Sequence, residues 1–163
     1  VGAAAAVVND CSDWTLVDVY CGVGLFAIAA SSRFGRVFGV EVDETATRLA
    51  RKNAQAHSAR NAEFVAGDAE VGLRCVASKG VDSSKTVVVV DPPRQGLLEG
   101  ARSALLKLRP RRMVYVSCDC ATQARDLRDF VAAGYAVRDV TPFDLFPQTR
   151  HLEVVMVLER DGA

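Results

Sequence analysis

Along the chain, short apolar runs repeatedly give way to segments with helical spacing. Residues 15–19 form an apolar run closed by glycines, which predicts a buried strand. Residues 25–32 follow as a helix of small side chains. Residues 36–42 predict a second strand that ends in acidic residues. Within 44–57, Ala46, Leu49, Ala50, Asn53 and Ala54 recur at helical spacing. Ala62–Ala66 is a short strand. Thr86–Val90 contains four consecutive valines, and a run apolar on both faces belongs in the centre of a parallel sheet. Residues 100–108 predict a helix and 113–117 another buried strand. Residues 121–133 predict a helix stopped by Gly134. Tyr135–Phe143 and residues 152–158 are the last two strands. The loop between them has no room for a helix, so they are expected to pair antiparallel.

Strand–helix alternation of this kind predicts an α/β fold: a mostly parallel sheet with helices on both faces and an antiparallel final strand. Its 163 residues suit one domain, residues 1–163. The polar stretch 78–85 is expected to be a surface loop. The chain opens without Met on an Ala-rich apolar run that lacks the basic flank of a signal peptide, and reads as a fragment cut inside or just before a helix. No run of about 18 apolar residues is present, so no membrane span is expected. Five cysteines, an odd number at irregular spacing without a C-x-x-C pair, argue against a disulfide framework and a structural zinc. Free thiols suit a reducing, intracellular compartment, expected to be the cytoplasm.

The turn after the first strand reads Asp18-Val19-Tyr20-Cys21-Gly22-Val23-Gly24-Leu25-Phe26-Ala27. Glycines there let backbone approach a nucleotide, and the following helix offers free amides. Gly22-x-Gly24-x-x-Ala27 with Glu41 also fits a dinucleotide fingerprint, with the carboxylate on ribose hydroxyls. A tight strand–helix turn without ligand is the plainer alternative. Asp18 favours S-adenosylmethionine over a nicotinamide dinucleotide. A carboxylate there suits the cationic aminoacyl end of a methyl donor and repels a pyrophosphate. Asp68, after the third strand, could accept from an adenine amino group, or could be a solvated loop residue.

Three further motifs carry chemistry. Asp91-Pro92-Pro93-Arg94-Gln95-Gly96-Leu97 leaves the valine strand as a rigid ledge that presents Asp91 at a strand end. Methyltransferases acting on exocyclic amines often carry an aromatic after Asp/Asn-Pro-Pro. Arg94 in that place points to another target atom. Cys118 ends a strand just before a helix, where the dipole stabilises a thiolate. An inert buried thiol is its alternative. Glu153 opens the final strand and could serve as a general base. An exposed edge-strand glutamate is the plainer reading. His151 is expected to be a structural histidine.

DVYCGVGLFAIA, VFGVEVDETA, DPPRQGL, VYVSCDCATQARDL and FDLFPQTRHLE, in this order over residues 18–159, together resemble the RNA uracil-5-methyltransferases, which form 5-methyluridine in transfer and ribosomal RNA. The SCD and FPQTRHLE segments are much more specific than the glycine turn. The resemblance implies a Rossmann-like class I methyltransferase fold and S-adenosyl-L-methionine as cofactor. It implies that Cys118 adds to carbon 6 of uracil and that Glu153 removes the proton from carbon 5. Asp91 would contact the base or the donor. Asp18, Tyr20, Gly22, Gly24, Leu25, Glu41 and Asp68 would hold the donor. The RNA substrate, tRNA or rRNA, would present a base out of its stack, to an enzyme expected to be monomeric, without metal in this region.

The chain departs from that family in three respects. Cys120 replaces the usual proline after Ser-Cys-Asn/Asp, and reads as a small residue starting a helix. Members of the family carry a pre-strand segment with a glutamine that contacts the site, and this is expected to fall before the start of the chain. So is any N-terminal RNA-binding or iron–sulfur region, so the isolated domain is expected to methylate RNA poorly. Cytosine-5 RNA methyltransferases carry a second cysteine in the loop at 91–97, and this loop has none. A methyltransferase-fold module that binds RNA or protein without catalysis is a further alternative. It is motivated by twenty basic and twenty acidic residues that cancel. Arg94, Arg125, Arg128 and Arg150 are the local candidates for phosphate contact.

Overall fold

In the computed structural model, residues 11–145, 147–148 and 152–160 are described. Seven strands form one sheet: β1 (Cys11–Val19), β2 (Phe34–Glu41), β3 (Ala62–Ala66), β4 (Thr86–Val90), β5 (Arg112–Ser117), β6 (Tyr135–Phe143) and β7 (Glu153–Arg160). The helices are α1 (Leu25–Ala30), α2 (Glu44–Ala56), α3 (Ala69–Ser78), α4 (Glu99–Leu108) and α5 (Cys120–Ala132). The strand order is β3-β2-β1-β4-β5-β7-β6. The first five strands pair parallel, and β7 runs antiparallel between β5 and β6. This is the Rossmann-like class I methyltransferase fold that the motifs led us to expect.

Alternation along the central strands divides the core into two layers. Val17, Val19, Phe38, Val40, Val88 and Val90 pack with Leu73, Leu105 and Phe130 of α3, α4 and α5. Leu16, Val37, Val87 and Val89 pack with Ala27, Ala50 and Ala54 of α1 and α2. All five residues of β4 are buried, as a strand covered on both faces requires.

The element α3 was not legible in the sequence. Its buried positions Ala69, Gly72, Leu73 and Val76 do recur at helical spacing. The stripe is short, however, and a mid-helix glycine weakens it. That glycine has a packing reason: a Cβ at Gly72 would lie 2.1 Å from Val40 Cγ1. Other differences are local. β1 starts at Cys11 rather than at residue 15, and the first helix ends at Ala30 in a 3-10 turn, Ser31–Arg33. The polar stretch after α3 contains a second such turn, Ser83–Lys85. The expected N-terminal helix, His151 and Arg150 fall outside the described residues.

Gly72→Ala tests this packing. On an open helix face alanine would gain about 1 kcal/mol. Here Val40 is buried in the central sheet and has no room to turn, so overpacking at roughly 1–3 kcal/mol dominates. Thermal denaturation is expected to show a lower midpoint, and a raised one would mean that the helix does not depend on this close approach.

Candidate active site

The strand order reverses between β1 and β4, and ligands of such sheets bind outside the carboxyl ends at that point. A cavity of about 650 Å³ lies there. Tyr20 follows β1, Glu41 and Val42 end β2, and Asp68 and Glu70 flank the start of α3. Asp91, Pro93 and Gln95 come from the loop after β4, and Leu98 and Ala101 from the start of α4. The lining holds four carboxylates, at Glu41, Asp68, Glu70 and Asp91, and no basic side chain among the described residues. Of the predicted donor-binding residues, the fold therefore gathers Tyr20, Glu41, Asp68 and Asp91 around one space. Val42, Glu70, Gln95 and Leu98 went unread, because nothing in their local pattern marks a wall of the cavity.

Local bonding fixes these groups. Glu41 accepts from Gly22 N (3.0 Å) and from Asp43 N (2.9 Å), tying the glycine turn to the end of β2. Asp68 caps α3 by accepting from Val71 N at 2.8 Å. Tyr20 adopts φ 66°, in the left-handed region, at a cost of roughly 1–3 kcal/mol. Burial pushes its phenol up to about 12.

The other four expected donor residues do not line the cavity, and of these Gly22 is tied to Glu41 as above. Asp18 is fully buried beneath the glycine turn, where one carboxylate oxygen accepts from Ala27 N at 2.9 Å and the other has no hydrogen-bond partner. It does not line the cavity. Gly24, at φ 90°, starts α1, and Leu25 is 64% exposed. Both face a separate depression with Val23, Ile28, Asn53 and His57. Glycine there serves the turn's backbone rather than close approach to the large cavity.

The predicted reacting residues sit one strand further along. Cys118 is half-buried after β5. Ser117 Oγ accepts from Asp119 N at 3.0 Å, and Asp119 caps α5 through Ala121 N (3.0 Å) and Thr122 N (2.9 Å). Ser117, the residue before Cys118, pairs with Val154, the residue after Glu153, at the end of the antiparallel β5–β7 ladder. Gln123, fully buried, braces this junction by donating to Tyr115 O (3.0 Å) and Val154 O (3.2 Å). Desolvation raises Glu153 above the ordinary carboxylate range. Desolvation first, and the Glu153 charge second, push Asp91 up to about 6. Asp91 thus bridges the cavity and the Cys118–Glu153 junction electrostatically. The arrangement brings a half-buried thiol and a carboxylate to neighbouring ends of β5 and β7, with Asp91 coupling Glu153 to the acidic cavity. Among the described residues no group of side chains could hold a metal ion, and no helix is long and apolar enough to cross a membrane.

A family model described as tRNA (Uracil-5-)-methyltransferase matches residues 2–161. The chain belongs to this family. It is 42% identical over 145 residues to an uncharacterized RNA methyltransferase of Halalkalibacterium halodurans, covering 89% of this chain and 31% of that protein. A counterpart in Caldanaerobacter subterraneus is 40% identical over 152 residues, covering 93% and 33%. The chain thus spans about a third of the length of these relatives. Among solved structures, Pyrococcus abyssi tRNA (uracil-54, C5)-methyltransferase in complex with S-adenosyl-L-homocysteine superposes with a TM-score of 0.75 at 31% identity, over 96% of this chain and 37% of that one. NSun6 from Pyrococcus horikoshii shares the fold, with a TM-score of 0.72 at 14% identity, over 98% of this chain and 51% of that one.

Two titrations check these electrostatics. Burial above all, and then the charges of Asp91 and Glu41, raise Asp18 to about 7, against the opposing Ala27 hydrogen bond. The folded chain therefore keeps this proton while the unfolded chain loses it near pH 4. Stability falls as pH rises from about 4 to 7. Asp91 adds a parallel decline that ends near 6. Asp18→Asn is expected to flatten the midpoint-versus-pH curve above pH 6, and an unchanged slope would remove Asp18 as its source. Glu153→Gln takes a like charge from beside Asp91, so carboxyl NMR should find Asp91 titrating below its native value of about 6.

Proposed function

We propose that the chain is the catalytic domain of an S-adenosylmethionine-dependent methyltransferase acting on carbon 5 of a uridine in tRNA or rRNA, with Cys118 as covalent nucleophile. The observation that supports this reading is that the β5–β7 ladder ends with Ser117, which precedes Cys118, paired to Val154, which follows Glu153, while the Glu153 charge acts on Asp91 in the wall of the acidic cavity. Family membership supports the substrate class.

The cavity suits the proposed donor. Its volume lies within the ordinary range for small-molecule sites, about 300–1,000 Å³. A lining whose charged side chains are all carboxylates favours a sulfonium and an ammonium, and disfavours the pyrophosphate of a nicotinamide dinucleotide. On this reading Glu41 takes the ribose hydroxyls, Asp68 the adenine edge, and Val42 and Leu98 the apolar walls, with Tyr20 and Asp91 toward the reacting end. When bound, S-adenosylmethionine supplies an electrophilic methyl group.

Carbon 5 of uracil is too weak a nucleophile to accept a methyl group unaided. Cys118 thiolate adds to carbon 6, and the electron pair displaced from the double bond makes carbon 5 enolate-like. After carbon 5 is alkylated, Glu153 takes its remaining proton. The electron pair released re-forms the carbon 5–carbon 6 double bond, and the Cys118 thiolate departs. A raised affinity for protons equips Glu153 for that step. Asp91, held in its protonated form more than an ordinary carboxyl is, can donate a hydrogen bond to the base. The loop at residues 91–97 offers no second thiol, which sets this site apart from a two-cysteine cytosine-5 mechanism.

Full-length protein incubated with 5-fluorouridine-substituted RNA and S-adenosylmethionine is expected to form a covalent adduct that resists denaturing electrophoresis. Fluorine at carbon 5 leaves no proton for Glu153 to remove. Cys118→Ala should form none, and an adduct with that variant would overturn the assignment. On ordinary RNA, Glu153→Gln should slow turnover by about 10²–10⁴-fold and accumulate adduct with Cys118 still attached.

A further inference from the structure

The loop that carries Asp91, Pro93 and Gln95 to the cavity is gripped from behind by one face of α5. Gly96 N donates to Pro93 O at 2.8 Å and closes a turn. Thr122 Oγ1 then donates to Arg94 O (3.0 Å), Arg125 Nη2 donates to Gln95 O (2.8 Å), and Asp126 Oδ2 accepts from Leu97 N (2.7 Å). Residues 122, 125 and 126 share a helix face at the i, i+3, i+4 spacing. Three backbone groups within residues 94–97, outside the sheet ladder, are thereby held by three side chains of one helix.

Asp126 is the centre of this arrangement. It is fully buried. The oxygen that holds Leu97 also accepts from Tyr115 Oη at 2.7 Å. Its other oxygen accepts from Arg125 Nε (3.0 Å) and Nη2 (2.8 Å) and from Arg102 Nη1 (3.3 Å), a nitrogen that also donates to Leu97 O (2.5 Å). Two guanidinium groups offset the buried charge. Gly96 is the residue this packing tolerates: a Cβ there would lie 2.6 Å from Asp126 Oδ2 and 2.7 Å from Arg125 Nη2, at φ +75°.

The carboxylate thus joins two pieces that chemistry needs in fixed relation. Tyr115 lies in β5, three residues before Cys118, and Leu97 closes the loop that begins at Asp91. We infer that Asp126 is a positioning residue, which sets the distance between the Cys118 thiol and the Asp91–Gln95 wall of the cavity without touching either reactant. This inference rests on the proposed roles of Cys118 and Asp91. Misplacement of such groups by 1 Å can cost on the order of 100-fold in rate.

Asp126→Asn would set an amide N–H against a backbone donor or a guanidinium and put folding itself at stake. Tyr115→Phe and Arg125→Ala keep the carboxylate paired and carry the test in the full-length protein. Each is expected to keep its thermal midpoint within a few degrees of wild type. Amide exchange at Leu97 should rise about tenfold or more, and single-turnover methylation at saturating RNA and donor should fall about tenfold or more. KM for RNA should change far less. Arg125→Lys, which retains a donor for Gln95 O, should recover part of the rate. Unchanged Leu97 exchange and rate in both variants would overturn the inference, as would a loss of rate no larger than the loss of folded protein. Failure of wild type to form the 5-fluorouridine adduct defeats the proposed chemistry instead, and Leu97 exchange still decides whether Asp126 holds the loop.

Discussion

The parallel pairing of β1 with β4, from Thr15↔Thr86 to Val19↔Val90, is the constraint on which the site depends. Both strands are buried along this ladder, so neither can display a polar side chain to solvent from its middle. Polar groups that must reach a ligand are confined to the strand ends, and the chain leaves β1 and β4 in opposite directions there. The crevice between these exits receives Tyr20 from one strand and Asp91 from the other. Asp18 is the informative exception. It lies inside the ladder, and its tie to Ala27 N anchors α1 and with it the glycine turn above. The carboxylate gives up hydration for this and holds its proton to about pH 7.

What could be read from sequence follows the same division. The β4 valines announce a strand covered on both faces, and the strand-end motifs announce where chemistry gathers, because burial and strand exit both leave marks in local composition. Asp18 lies beneath the turn and not in the cavity wall, and an acid at a strand end reads alike in either place. Gly24 and Leu25 border a separate depression, and the fingerprint locates the turn without showing which side of it opens to the cavity. Asp126 carried no signal, since a helical Asp flanked by Arg125 resembles any solvated pair. Its burial arises from Tyr115, Arg102 and Leu97, all distant in sequence.

Burial, with crowding of acids second to it, explains the unusual protonation of the site. Asp18, Asp91 and Glu153 each bind protons more tightly than in water, because loss of hydration dominates, and for Asp18 and Asp91 like charges add to it. No basic side chain lines the cavity among the described residues to relieve this. A cationic ligand would, and the same field that raises these carboxyl groups then becomes affinity. A pyrophosphate would compound the repulsion, so the glycine turn, by itself equally suited to a dinucleotide, acquires its selectivity from its acidic neighbours.

That field also sets the problem of bringing RNA to the site. A polyanion is repelled by a pocket of carboxylates, so donor and substrate need separate approaches. On the proposed reading, the donor occupies the β1–β2–β3 side with Glu41 and Asp68, and the base meets the β5–β7 side with Cys118 and Glu153. Asp91 stands at the boundary. Its partial protonation near pH 6 lessens the negative charge where the two must meet, and leaves a donor for a carbonyl-rich ring. The grip of α5 on the loop at residues 91–97 has its physical reason there. A boundary residue that faces both reactants is useful only if its position is independent of either, and a helix that also begins beside the thiol fixes both groups in a single frame.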